Sequence, residues 1–334
     1  MVARIPRLKS AMPQSPSSNE RRHALYALLA VTVVWGWTFV WMKQALSQAQ
    51  LTLGPDGEAA ARGLFLTLRF GVAALALPLL LPSCRKAKNF SPRLWVEGGG
   101  LGLLLLVGFL LQMTALSTLS PAVSSFLTSL YVIFTAFLSL FSSKHRNLSF
   151  SLLVGVVLAT LGAAYISGPP QLGFGLAEWL TILSAFLFAC TILVTDTITK
   201  RHAPAAVSLS SFTVVAVGST LYTAWTLGQE GAPTLPQLLG LLGEYDFWMP
   251  LACCSILATL IALTVLNHYQ RMLEPVRAAT LYALEPVWGT MISVLYGMEA
   301  INGWFAFGAG ALLAGNLIAE LGPKKKRSEI KSTA

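Results

Sequence analysis

The apolar residues of this chain form long blocks that are separated by short polar junctions. About ten blocks of about 18–25 residues are each long enough to cross a hydrocarbon core about 30 Å thick as a helix. Alternation with a period of two residues is weak, which favours helices over a transmembrane barrel. The predicted spans are 24–45, 59–82, 94–117, 120–142, 150–168, 174–198, 205–228, 247–270, 276–297 and 301–321.

Charged residues divide the junctions into two classes. Twenty of the 23 Lys and Arg residues lie before span 1, at the junctions that follow spans 2, 4, 6 and 8, or after span 10. Acidic residues mark the alternate junctions: Asp56, Glu58, Glu230, Glu244, Asp246 and Glu299. Because basic loops stay on the cytoplasmic side, ten spans with both termini cytosolic are predicted.

An internal repeat relates the two halves of the chain. The segment LSPAVSSFLTSLYVIFTAFLSL from Leu119 resembles LEPVRAATLYALEPVWGTMISV from Leu273, at an offset of about 153–154 residues. A glycine pair recurs at the same offset, as Gly155 and Gly162 and as Gly308 and Gly315. Since each half has five spans, the second half must insert upside down. Inverted repeats are a transporter architecture, with the substrate site at the repeat interface.

The predicted fold class is therefore an all-α polytopic membrane protein with two inverted five-helix repeats. Residues 1–22 are expected to form a disordered cytosolic arm, and 23–169 and 170–321 the two repeats. Residues 322–334 are expected to form a basic cytosolic tail. Its KKKR run resembles a nuclear signal, but anchoring at anionic headgroups is the favoured interpretation.

Composition supports a membrane protein. The chain is 55% hydrophobic and 11% charged, with a mean hydropathy of +0.66, whereas soluble domains are about 25% charged. The net charge of +9 does not indicate nucleic acid, because the basic residues follow the membrane topology. The four cysteines lack the spacing of a metal site or a secreted disulfide framework and are interpreted as small buried hydrophobic residues. No cofactor is expected.

Several short motifs carry a family resemblance. Trp35-Gly36-Trp37-Thr38-Phe39 matches a WG-x-x-F pattern, and Leu284-Glu285-Pro286-Val287 matches an L-E-P-V pattern. With Arg69-Phe70 in span 2, these motifs resemble the drug/metabolite transporter superfamily and, within it, the EamA-type ten-span exporters. The resemblance covers about residues 24–321. It implies efflux of small organic metabolites, amino acids or drugs, and it does not fix the substrate.

The chain departs from the family pattern in its fourth span. The family often has a proline where this chain has Leu130-Tyr131-Val132. The expectation is a stiffer hinge in the first half, or a function carried by Tyr131.

Glu285-Pro286 is the most conspicuous candidate site. A rise of 1.5 Å per residue from Val276 places Glu285 about 14 Å into its span, near the membrane midplane. Ionisable groups at that depth face a protein interior or a watery cavity. Glu285 is either a proton-coupling carboxylate or a structural carboxylate that caps the half-helix following the break at Pro286.

Other polar and aromatic side chains are candidates for lining a central cavity. Tyr131 is the repeat equivalent of Glu285. The remaining candidates are Trp35, Thr38, Gln112, Thr128, Asn267, His268, Tyr282 and Trp288. For each, packing or hydrogen bonding between helices is the alternative. Arg69, about ten residues into span 2, either neutralises an anionic substrate, pairs with a carboxylate or snorkels to the surface.

These features predict a secondary transporter that works by alternating access, as a monomer or homodimer in a bilayer, with the bacterial inner membrane as the expected location. Spans 3, 4, 8 and 9 would line the cavity, and breaks near Pro121, Pro275 and Pro286 would help the halves rock. A small organic substrate would move with protons or by exchange, since no P-loop for ATP is present.

Two other classes stay open. An intramembrane enzyme would need a catalytic motif, and HExxH, G-x-S-x-G and paired intramembrane aspartates are missing from the sequence. A channel-like permease is disfavoured by the duplicated halves, because repeat exchange serves alternating access.

Overall fold

The computed structural model describes residues 18–86, 91–141, 150–165, 174–272, 281–282 and 284–321, and this part of the chain is helical with no β-strand. Its α-helices are α1 (Ser18–Leu53), α2 (Glu58–Leu80), α3 (Pro92–Leu116), α4 (Pro121–Thr128), α5 (Tyr131–Ser139), α6 (Phe150–Tyr165), α7 (Leu176–Ile198), α8 (Pro204–Leu227), α9 (Leu235–Gly240), α10 (Tyr245–Cys253), α11 (Ala262–Tyr269), α12 (Glu285–Leu295) and α13 (Gly303–Leu321). A π-helix (Cys254–Ile261) joins α10 to α11.

Seven stretches of the described residues are long and apolar enough to cross a membrane. They are Arg22–Leu53, Pro55–Leu80, Pro92–Leu116, Pro121–Ser139, Leu176–Ile198, Pro204–Leu227 and Tyr245–Tyr269, which correspond to predicted spans 1–4 and 6–8. Spans 5 and 10 contain the shorter apolar helices Leu153–Ala163 and Gly303–Ile318. Span 9 lies partly outside the described residues. Pro275, where a break is expected, lies wholly outside them. The all-helical prediction is confirmed for the described part, and the count of ten stays a prediction.

Helix α1 runs further than the sequence pattern predicted. It ends at Leu53 rather than near residue 45, because Leu46 and Ala49 continue its buried face and are 4% and 0% exposed. Gly54 then takes a positive φ of 72°, with its N–H bonded to the Gln50 carbonyl. A glycine in this conformation followed by proline is a common helix stop.

Span 4 is interrupted although it has no proline at the break. The helix stops at Thr128 and resumes at Tyr131, across a turn formed by Ser129 and Leu130. The amide nitrogen of Asn316, on α13, lies 3.2 Å from the Ser129 carbonyl oxygen and 3.0 Å from its hydroxyl. The Ser129 carbonyl also accepts the Val132 N–H over 3.0 Å, so Asn316 adds a brace from another helix to this turn. The expectation of a stiffer first-half hinge, or of a function carried by Tyr131, stays a prediction.

Span 8 is irregular as well, through its π-helix. Side chains from two other spans bind this segment: the indole nitrogen of Trp35 donates to the Ala258 carbonyl over 3.2 Å, and the Arg69 Nε donates to the Thr259 hydroxyl over 2.7 Å. π-Helical turns are rare and often occur at functional sites.

Helices α6 and α13 meet through reciprocal glycine contacts. A Cβ on Gly162 would lie 2.5 Å from the Leu312 backbone nitrogen, and a Cβ on Gly315 would lie 2.6 Å from that of Ala159. Gly162 and Gly315 are 153 residues apart, as are Ala159 and Leu312. Exchanged contacts of this kind are what a two-fold relation produces. They support the inverted repeat, which stays a prediction.

Polar contacts join the two halves at both ends of the helices. At the end rich in Lys and Arg, which we call the basic face, Glu97 lies 3.0 Å from Arg201 and 2.9 Å from His202. At the opposite end, the acidic face, the Ser120 hydroxyl donates to the carboxylate of Glu299. Within the first half, the Lys43 ammonium at this end donates to the Leu116 and Ser117 carbonyls, at 2.9 and 2.8 Å. The two halves thus make polar contacts at both ends of the bundle.

Candidate functional site

A central cavity lies between the two halves of the chain. Its volume is about 80 Å³, and it is bordered by spans 1–4, 6, 8 and 9. The lining residues are Trp35, Thr38, Phe39, Arg69, Leu105, Phe109, Gln112, Thr128, Tyr131, Phe188, Thr191, Ile192, Thr195, Leu263, Leu266, Gln270, Tyr282 and Glu285. Ligand sites commonly measure about 300–1,000 Å³. The cavity in this conformation therefore holds no more than a few water molecules and must expand to admit an organic molecule.

Tyr131 and Glu285 meet at the cavity wall. The Tyr131 hydroxyl donates to Oε2 of Glu285 over 3.2 Å, and both side chains are buried. Each is the first residue of the helix that follows a break, Tyr131 of α5 and Glu285 of α12. Two residues that the predicted repeat makes equivalent are thus in direct contact, and each begins a helix that follows a break.

Aromatic rings surround this contact. The Tyr282 ring lies 5.7 Å from the Trp35 ring and 6.5 Å from the Tyr131 ring, measured between centroids. The Tyr282 hydroxyl donates to Oε1 of Gln270 over 3.3 Å, and the Gln270 amide donates to the Ile192 carbonyl over 2.9 Å. These two hydrogen bonds link Tyr282, which precedes α12, to α7 beside the cavity.

Arg69 forms the opposite, cationic part of the lining. It is 1% exposed, and its guanidinium carbon lies 4.6 Å from the centroid of the Phe109 ring. Besides the Thr259 hydroxyl, the recorded acceptor is the Met42 thioether at 3.5 Å from Nη1. No ion pair with a carboxylate is formed by Arg69 within the described residues.

Eight of the twelve residues proposed from the sequence line this cavity: Trp35, Thr38, Arg69, Gln112, Thr128, Tyr131, Tyr282 and Glu285. Within this lining, the Gln112 amide donates a hydrogen bond to the Thr128 hydroxyl over 3.3 Å. The other four candidates lie elsewhere. Pro286 is buried at the start of α12, where it occupies the second position of the helix.

Asn267, His268 and Trp288 do not reach the cavity, for local reasons. The Asn267 amide donates to the Ser208 hydroxyl over 2.8 Å, between α11 and α8. His268 is exposed and packs edge-on against Tyr269, with 4.8 Å between ring centroids. The Trp288 indole donates to the Thr32 hydroxyl over 3.2 Å.

Gly36 allows α1 to pack closely against α12 at Trp288. A Cβ on Gly36 would lie 2.6 Å from Cβ of Trp288 and 2.8 Å from the nitrogen of Gly289. Helices α1 and α12 therefore approach closely here, while Trp35, one residue earlier, points to the cavity. Small residues permit such contacts between membrane helices.

Sequence reasoning missed the contribution of span 6 and of Gln270. Phe188, Thr191 and Thr195 on α7 line the cavity together with Gln270. Thr191 and Thr195 are one helical turn apart, and this polar stripe was the available signal. It was weak, because isolated threonines in a membrane helix also bond their own backbone, as Thr191 does to the Leu187 carbonyl.

A second hollow lies at the acidic face, far from these groups. It has a volume of about 380 Å³ and is lined by Thr52, Leu53, Gly231, Ala232, Pro233 and Gln237. Its lining residues carry no ionisable side chain, so the central cavity is the better candidate despite its smaller volume.

Comparisons with known proteins agree with this architecture. The sequence model of the EamA-like transporter family matches residues 22–168. The resemblance to this family is thereby confirmed. An uncharacterized transporter of Archaeoglobus fulgidus is 24% identical over 307 residues, which cover 90% of this chain and 87% of that protein.

A solved crystal structure also has the same fold. It is 19% identical to this chain, covers 87% of it and 96% of its own chain, and superposes with a TM-score of 0.57. At this identity the likeness concerns the fold alone. With the seven candidate spans, the family match supports an integral, multi-pass membrane protein.

Proposed function

We propose that this protein is a secondary active transporter that moves small organic molecules outward across a membrane by alternating access. The match to the EamA-like transporter family and the similarity to a transporter of Archaeoglobus fulgidus support the general class. Substrate, direction and mechanism are proposed from the cavity and from the predicted topology.

The contact between Tyr131 and Glu285 carries the mechanistic part of the proposal. It joins two helix breaks, one from each half of the chain, at the wall of a central cavity. A carboxylate at an interrupted helix within an apolar bundle is expensive to maintain, and such groups commonly take part in transport. Interrupted helices also provide the places where half-helices can tilt relative to each other.

The polar contacts between the halves at both ends of the bundle support alternating access over a permanent pore. The contacts of Glu97 with Arg201 and His202 join the halves at the basic face, and the contact of Ser120 with Glu299 joins them at the acidic face. In alternating access one set opens while the other persists. The small volume of the cavity is the expected property of an occluded state between the two.

Glu285 is proposed as the proton carrier and Pro286 as part of the hinge. In its protonated form Glu285 is neutral and is tolerated in a closed, dry cavity. When the cavity opens to water, the carboxyl group of Glu285 can release its proton. The resulting carboxylate no longer donates a hydrogen bond to neighbouring groups. Coupling then requires that substrate loading and proton loading favour different states of the two halves.

A proteoliposome experiment tests this proposal. The purified full-length chain is reconstituted, and uptake of amino acids, nucleosides and cationic drugs is measured with and without a pH gradient. Saturable flux that is accelerated by unlabelled substrate on the opposite side supports a carrier. Flux that rises linearly with concentration and shows no such acceleration indicates a channel. Chemical conversion of a panel member without a gradient indicates an enzyme.

A further inference from the structure

We infer that the transported molecule is a small organic carboxylate, and that Arg69 is the residue that binds its carboxylate group. This inference rests on the proposed function, because it assigns a substrate class to the same cavity. It goes beyond that function by making one side chain the determinant of charge selectivity.

Arg69 forms no ion pair with a described carboxylate. Its side chain is 1% exposed, and no carboxylate oxygen of the described residues lies within 4.0 Å of its nitrogens. Glu285 lines the same cavity but accepts its recorded hydrogen bond from Tyr131. A guanidinium held in an apolar interior without a counter-ion is strongly unfavourable. An anion supplied by the substrate would remove this cost.

The donors of Arg69 are also incompletely used. A guanidinium has five N–H donors in one plane. Nε donates to the Thr259 hydroxyl, and Nη1 reaches the Met42 sulfur, which is a weak acceptor. These two contacts use two of the five donors. The remaining donors therefore suit the two oxygens of a carboxylate, which a planar fork binds in bidentate fashion.

Neighbouring side chains position the guanidinium for this task. Thr259 holds Nε from the π-helix, and the Phe109 ring lies beneath the guanidinium plane at 4.6 Å from its carbon. Thr259 and Phe109 thus hold the guanidinium of Arg69, which lines the cavity. Phe109, Phe188 and Tyr282 line the same cavity and provide an apolar surface for the body of the substrate.

Arg62 differs from Arg69 in the same helix and serves as a matched control. It lies two turns earlier on α2 and pairs with Glu58 at 3.2 Å. Its charge is therefore already compensated within the protein. It is also absent from the lining of the central cavity.

Binding to the purified full-length protein in detergent tests the inference with three probes of similar shape: phenylacetate, phenylacetamide and phenethylamine. We expect phenylacetate to bind most tightly, as measured by the change in tryptophan fluorescence and by thermal stabilisation. Arg69→Gln should weaken phenylacetate binding by about 10- to 100-fold, since a charged hydrogen bond is lost. Arg62→Gln should leave it unchanged, and Arg69→Lys should restore part of it.

The wild-type protein alone can overturn the inference, even if Arg69→Gln does not fold. The inference fails if phenylacetate binds no more tightly than phenylacetamide, including the case in which neither binds. The same probes in proteoliposomes separate this failure from failure of the proposed function. Arg69-dependent binding without saturable flux would contradict transport only, whereas saturable flux of the amide or amine that is independent of Arg69 would contradict the carboxylate assignment only.

Discussion

The helix pair α6–α13 and the central cavity both join residues that are 153–154 positions apart, yet their contacts differ in kind. Between the helices, backbone meets backbone through Gly162 and Gly315, and no space for a Cβ remains. At the cavity, the side chains of Tyr131 and Glu285 form a hydrogen bond beside empty volume, and each residue begins a helix that follows a break. The first contact suits a permanent interface, and the second suits a contact that changes.

This difference has a physical origin. Close helix packing gains van der Waals energy over many atoms and loses it over a displacement of a fraction of an ångström. A hydrogen bond between two side chains can break and be replaced by one to water or substrate at little net cost. We therefore expect rocking to leave α6–α13 intact and to rearrange the cavity.

The largest expected effect is at Glu285, where Glu285→Gln separates proton coupling from structure. Glutamine keeps the shape and can still accept from Tyr131, but it cannot carry a proton. A coupling free energy of about 1–3 kcal/mol predicts that stimulation of uptake by a pH gradient falls by about 5- to 150-fold. Uptake in proteoliposomes measures it, with substrate exchange at equal pH as the control that should persist. Full gradient-driven transport in this variant would make Glu285 structural.

Gly162→Ala tests the permanent interface. The added methyl group meets backbone atoms of α13, so we expect a loss of about 1–3 kcal/mol of stability from overpacking. Thermal unfolding in detergent measures this loss. Gly310→Ala is the matched control, because Gly310 lies on the partner helix α13 and nothing lies within 4 Å of a Cβ there. If both variants are equally stable, α6 and α13 separate easily and the distinction between the two regions is lost.

Trp35→Phe alters the central cavity, and we expect a moderate loss of stability of the protein. Phenylalanine keeps an aromatic ring but leaves the Ala258 carbonyl in the π-helix without its indole donor. A lost hydrogen bond costs about 0.5–1.5 kcal/mol, and substrate affinity should fall as well because Trp35 lines the cavity. Trp288→Phe loses a comparable bond to Thr32 outside the cavity. Equal affinity losses in the two variants, measured by transport kinetics, would argue against a special role of the π-helix.

The smallest expected effects come from the polar contacts at the two faces. Glu97→Gln should weaken closure at the basic face, and Glu299→Gln should weaken closure at the acidic face, each by about 0.5–1.5 kcal/mol or about two- to tenfold. The readout is alkylation of Thr38→Cys, in a chain whose native cysteines are replaced, by a membrane-impermeant maleimide applied from either side. Opposite shifts in sidedness are expected. Shifts in the same direction would mean that these contacts stabilise the protein without controlling access.

The sequence indicated the conspicuous polar and aromatic residues of the cavity better than it indicated the complete set of lining residues. Trp35, Arg69, Tyr131 and Glu285 could be chosen because polar or bulky groups in an apolar helix are costly and therefore conspicuous. His268 met the same criterion but is exposed, because helical rotation decides which side a residue near a span end faces. Phe188 and Leu263, which are ordinary membrane-helix residues, gave no signal that they line the cavity.

Helix irregularities show the same limit. Pro286 indicated the break before α12, since a proline cannot donate to the preceding turn. The break at Ser129 and the π-helix at Cys254–Ile261 had no such marker. Asn316, Trp35 and Arg69, which belong to helices distant in the sequence, donate hydrogen bonds to a backbone carbonyl or a hydroxyl at these irregular segments.

The sequence by itself determined the helical class and the positions of most spans, and it predicted the equivalence of Tyr131 with Glu285. These follow from the length of apolar blocks, the placement of charge and an offset of 154 residues, which are properties of the chain alone. Only the tertiary structure decided that Tyr131 and Glu285 touch, that Arg69 has no anionic partner among the described residues and that polar contacts join the two halves at both ends. Such facts depend on how helices rotate and pack against each other, and packing is set by the shapes of many side chains at once.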